Sequence, residues 1–218
     1  MKRLIAAVLV MCALASPVWA SREHYQSVAD DVANYQLTFT DIDDVVWAHP
    51  AITALAAQGV VSGVDAQSFA PHRQVTKKES IKLLVGVLGL MDPDASCSFS
   101  DVAQEDWSYA YVSSAVCAGM IADGDALYGD SPITRFELAL LAANGMAAIG
   151  FDVSVSDRQP LFTDPAPIPD GAYYLRNIGV IRGDGDGTFR PGDTCTRAEA
   201  TQIIYGLREY IKSEFVKG

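Results

Sequence analysis

Apolar residues recur at helical spacing in two kinds of segment. In the first kind, Ile52, Leu55 and Ala56 share one face between Trp47 and Gln58, and Gly59 ends the run. The pattern returns from Trp107 to Ala118, stopped by Gly119. A shorter version carries Tyr173, Tyr174, Leu175 and Ile178 and stops at Gly179. The second kind holds Ile81, Leu83, Leu84, Val87 and Leu88, then Leu138, Leu140, Leu141 and Met146, then Ile203, Ile204, Leu207, Tyr210 and Ile211. No segment alternates as a half-buried strand would, so the expected class is all-α. Between the two kinds lies a turn at Gly63, Asp123-Gly124 or Gly183. Each turn leads to an aromatic and then Pro or Asp, in Phe69-Ala70-Pro71, Tyr128-Gly129-Asp130 and Phe189-Arg190-Pro191.

These segments belong to three copies of one helix–loop–helix unit, over 39–91, 99–150 and 162–212. Each opens with Phe-Ser/Thr-Asp, at Phe39, Phe99 and Phe162, and closes with Thr-(Lys/Arg)-x-Glu. Two helices bury little alone, so the copies must share a core. Three units can close on one another, which predicts a compact pseudo-threefold body and not an open solenoid. Residues 21–38 precede the copies as a leader. Tyr25, Val28, Val32 and Tyr35 there lie on one stripe of an amphipathic helix over 22–36.

The closing motif has the form of a capping box. Thr76/Glu79, Thr134/Glu137 and Thr196/Glu199 are expected to cap their helices reciprocally. The residue after each threonine is a cation, Lys77, Arg135 or Arg197. The helix dipole favours acids there, so a repeated cation breaks a local rule. One reading is an anion receptor, built from the cation and unoccupied helix-start amides. The other is pairing with a neighbouring acid.

Charge narrows the partners. The chain carries 16 basic and 27 acidic residues, a net −11. Lys2, Arg3, the apolar run Leu4–Leu14 and Val18-Trp19-Ala20 read as a signal peptide over 1–20. The run is too short to span a membrane. Without Lys2 and Arg3, 14 bases face 27 acids, a net −13. That argues against nucleic acid and anionic lipid as main partners. Export permits disulfides, and Cys97 and Cys117 are placed to bridge, whereas Cys195 reads as a small buried residue. Asp184-Gly185-Asp186-Gly187 lacks the twelfth-position glutamate of a calcium loop and reads as a tight turn. No catalytic motif, metal-ligand spacing or cofactor signature is present.

The openings, the tryptophans, the turn glycines, Asp186-Gly187-Thr188-Phe189-Arg190-Pro191 and Thr196-Arg197-Ala198-Glu199 together resemble the S-layer homology (SLH) domain, in three tandem copies. The resemblance implies a three-pronged body around a central helical bundle. It implies non-covalent attachment to the bacterial envelope through a pyruvylated wall polysaccharide held between prongs, with the motif arginine on the pyruvyl carboxylate. Carried over to this sequence, the ligand contacts are Arg135, Arg197 and Lys77, with the turn glycines Gly63, Gly124 and Gly183. Lys77 lacks the two-pronged grip of arginine. Trp47 and Trp107 either line grooves or serve as core aromatics, and copy three has no counterpart. The expected protein is non-enzymatic and exported to the cell surface, wall or periplasm. The alternative is an envelope adaptor that contacts other proteins or modified peptidoglycan. Arg197→Ala is expected to weaken wall binding with thermal stability nearly unchanged.

Overall fold

The computed structural model describes residues 35–217 apart from Pro160 and Asp184. The expected signal peptide and nearly all of the expected leader helix lie outside the described residues. A 3₁₀ helix, Asp43–Ala48, runs into α1 (His49–Ala57), followed by α2 (Lys77–Leu88), α3 (Tyr109–Cys117), α4 (Arg135–Ala148), α5 (Asp170–Asn177) and α6 (Arg197–Lys217). The described residues are helical and contain no strand. Gly59, Gly119 and Gly179 each follow a first helix with φ of 69°, 73° and 77°, so a left-handed residue ends all three.

The first helices start differently from the apolar pattern. Trp47 falls in the 3₁₀ turn, and Trp107 precedes α3. Asp106 explains the second case. Its Oδ1 accepts both the amide and the hydroxyl of Ser108 at 2.8 Å, which fixes the chain just before the helix.

The opening aspartates hold the loops. Asp41 accepts the amides of Phe69 and Ala70, each at 2.8 Å. Asp101 accepts those of Leu127 and Tyr128, at 2.8 and 2.7 Å, and Asp164 those of Phe189 and Arg190, both at 2.7 Å. This corrects the register expected in copy two, where Leu127 and not Tyr128 occupies the aromatic slot. Tyr128 instead matches Ala70 and Arg190, and all three hold positive φ, at 53°, 56° and 55°.

The closing segments join at the centre in a ring. The Val75 amide donates to the Cys195 carbonyl, Cys195 to Ile133 and Ile133 to Val75, each at 3.0 Å. Side chains at all three positions are buried, Cys195 among them. Helix packing follows the same cycle. The second helix of each copy packs on the first helix of the next, α2 on α3, α4 on α5, and α6 back on α1. Helix α2 also touches α4 and α6. Because the last helix meets the first, no copy is left as an end with an uncovered apolar face.

Cys97 and Cys117 are not bridged, contrary to the sequence expectation. Ser113 donates its hydroxyl to the Cys97 sulfur, and the Cys117 thiol, one helical turn further along α3, donates to Asp92 Oδ2. The two sulfurs face different partners.

Candidate functional site

At each second helix the closing threonine and glutamate bond reciprocally. Thr76 Oγ1 accepts the Glu79 amide at 3.3 Å, while Glu79 Oε2 accepts the Thr76 amide at 2.9 Å. Thr134 with Glu137 and Thr196 with Glu199 repeat the pair.

The two amides between each threonine and its glutamate are also occupied. Lys77 and Lys78 donate theirs to the carbonyls of Ser131 and Gly129 in copy two. Arg135 and Phe136 donate to Asp193 and Pro191 in copy three, and Arg197 and Ala198 to Arg73 and Pro71 in copy one. The helix starts are therefore joints between copies. The expected receptor of unoccupied helix-start amides does not exist, because closing the ring uses them.

The three cations diverge. Arg197 donates through Nε to the Phe69 carbonyl at 2.9 Å and through Nη2 to the Ser62 carbonyl at 2.8 Å. Its guanidinium stands 4.7 Å from the centroid of the Phe69 ring. Burial lowers its pKa, and the neighbouring Arg73 cation lowers it further. Arg135 donates to the Phe189 carbonyl at 2.6 Å and lies 5.1 Å from that ring's centroid. Lys77 meets Glu137 Oε1 at 2.7 Å. Burial works to raise the Glu137 pKa, but the Lys77 ammonium and the Thr134 groups outweigh it and hold the carboxyl below its usual range.

Among the described residues, two grooves adjoin these helix starts. The first, about 350 Å³, draws on all three copies. Copy one supplies Gly63, Arg73, Glu79 and Lys82, copy two supplies Trp107, and copy three supplies Arg197. Three cations thus face one acid on a strongly acidic chain. Arg73 closes on Glu79 through both terminal nitrogens. Trp107 is 55% exposed, so it is not a core aromatic. Its segment is pinned to copy one by Lys78, whose ammonium is buried and reaches Asp106 Oδ2 at 2.8 Å.

The second groove, about 640 Å³, contains Lys77 with Glu137 and is otherwise largely apolar, with Met120, Ile121, Leu127 and Leu140. Its one cation is matched by its one acid. Arg135 and Trp47 line neither groove. Trp47 is 52% exposed, on the 3₁₀ helix that packs against α6.

Of the turn glycines, Gly63 lines the first groove. A Cβ there would lie 2.6 Å from the Phe39 ring and 2.3 Å from the Asp65 carbonyl oxygen. Gly124 and Gly183 back onto Phe99 and Phe162 in the same way, with more room. Asp186 accepts the Thr188 amide and hydroxyl, as in a tight Asx turn. Sequence reasoning did not find Arg73 and Lys82. Neither belongs to the repeated motif, so only the fold reveals that they share a groove.

Comparison with known proteins agrees with the repeat pattern. The S-layer homology domain family model matches residues 38–79, 98–139 and 174–201, about half of the chain. Among curated relatives, an amylopullulanase of Thermoanaerobacterium thermosulfurigenes is 32% identical, over 80% of this chain and 10% of its own length. Exoglucanase XynX of Acetivibrio thermocellus is 31% identical, over 82% of this chain and 17% of its own. The S-layer protein sap of Bacillus anthracis is 30% identical, over 87% of this chain and 24% of its own. The chain belongs to the S-layer homology domain family. It spans less than a quarter of the length of each of these relatives. Among the described residues, no helix is long and apolar enough to cross a membrane.

Proposed function

We propose that this chain attaches to the bacterial cell envelope by binding an acidic, pyruvylated wall polysaccharide in the groove of Arg197 and Trp107. The reading is of a non-catalytic anchoring module on an exported protein. It is supported by family membership and by relatives that include an S-layer protein. The observation that carries it is the charge of the groove. Arg73, Lys82 and Arg197 face Glu79 alone, against a chain of net −11. A local cationic surplus on an anionic surface is placed to hold an anionic ligand. The exposed indole offers a flat apolar face to a sugar ring.

The Lys77 groove has no such surplus and is not assigned to this ligand. Arg197 keeps its place in the reading, but its structural duties change one expectation. Arg197→Ala removes bonds to two carbonyls, that of Phe69 in a part-buried setting, so it lowers stability as well as binding. The test therefore uses the unmodified protein. Co-sedimentation is measured with walls of the encoding organism, before and after mild acid removes ketal-linked pyruvate. Sedimentation with native walls and loss on stripped walls is expected. Equal sedimentation on both would remove the ligand assignment.

A further inference from the structure

The first groove contains three cations, and two are already committed. Arg73 is closed on the Glu79 carboxylate. Arg197 is held by the Phe69 and Ser62 carbonyls and by the Phe69 ring. Lys82 differs. Among the described residues, no carboxylate lies within ion-pair distance of its ammonium. The ammonium stands 6.0 Å above the Trp107 ring, the outer limit of a cation–π contact, so the ring holds it weakly.

We infer that Lys82 and Trp107 form the reading head of the groove, the indole taking a sugar face and the ammonium taking the carboxylate that the sugar carries. The inference rests on the proposed glycan binding and assigns its selectivity to a residue outside the repeated motif. The geometry supports a two-point contact, since the exposed indole and the loosely held ammonium line the same groove 6.0 Å apart. A lysine ammonium has three rotatable donors and a flexible stem, so it can follow a carboxylate set at one edge of a ring. Arg197 and Arg73 then act by positioning: one shapes the loop at Ser62, and the other neutralises Glu79 so that it does not repel the ligand.

Chain position makes the pair specific to one groove. Lys82 lies six residues beyond Thr76, and the same count from Thr134 and Thr196 reaches Leu140 and Gln202. Leu140 lines the second groove in the place that Lys82 takes in the first. One groove is therefore equipped to discriminate by charge and the other is not. Lys82 also sits on the second turn of α2, a rigid element, which fixes where the stem starts.

The experiment titrates the anionic polysaccharide released from the same walls into the full chain, the Lys82→Leu variant and the Lys82→Arg variant. Leucine occupies the matching position of copy two, so the fold accepts it. Lys82→Leu should weaken binding about tenfold, the loss of one charge-assisted contact, and should flatten its salt dependence. Lys82→Arg should bind within a few-fold of the parent, and both variants should keep the parent melting temperature. Undiminished binding by Lys82→Leu, while the parent still requires the pyruvyl group, would overturn the inference and leave the proposed function standing. Equal loss in both variants would assign a role to side-chain shape and overturn it too. If the parent fails to bind, the proposed function falls and the inference with it.

Discussion

Ala70 holds φ at 56°, a region that disfavours any residue with a Cβ. Tyr128 and Arg190 do the same at matching positions, because the opening aspartates bond the amide before the turn and the amide at it. Ala70→Gly should therefore raise stability by up to ~1 kcal/mol, read as a higher denaturation midpoint. A second residue-level test concerns Lys78 and Asp106. The Lys78 ammonium first, then the Ser108 groups, hold the Asp106 carboxyl down to about 2. The Lys78 pKa is raised by Asp106 against the opposing effect of burial. A lowered acid stabilises above its unfolded pKa and loses that contribution as pH falls through its folded value. A raised base stabilises below its unfolded pKa and loses it only as pH climbs through the still higher folded one. The pair should thus support the fold at neutral pH and fail between about pH 4 and 2. Asp106→Asn should cost ~2 kcal/mol near pH 7, because Lys78 is left buried with only the more distant Asp130. The difference from the parent should shrink across that acid window in urea titrations. A constant difference would deny the pair its role. The second lysine of Thr76-Lys77-Lys78-Glu79 drew no notice in the sequence because its partner lies 28 residues away in another copy.

The helix starts show what was legible and what was not. Local chemistry identified the capping positions, since Thr and Glu three apart need nothing beyond their own turn. Thr134→Ala should accordingly cost about 1 kcal/mol, measured by chemical denaturation. Helix class and the glycine stops were equally local. The use of the two amides between them was not, because their acceptors come from loops of the next copy. The same limit applies to the cations. Arg135 and Lys77 share a motif slot, yet one faces a backbone carbonyl and the other Glu137. Spacing could not separate those fates, and it could not show that Trp107 shares a groove with Arg197, 90 positions away in the chain.

Closure ties the copies into one unit. A ring of three backbone bonds, with each second helix packed on the next copy's first, leaves no copy able to bury its core alone. Thermal or urea unfolding should therefore be a single cooperative transition seen alike by far-UV circular dichroism and tryptophan emission, where an open array would melt in stages. Closure also accounts for the site, since loop, indole and guanidinium of the first groove come from different copies. The most direct measurement follows the indole N–H resonances of a ¹⁵N-labelled chain as the wall polysaccharide is added, before and after its ketal pyruvate is removed. The intact polymer should shift the Trp107 signal, and the stripped polymer should leave it in place. A Trp107 signal that stays still while the intact polymer binds would contradict the account.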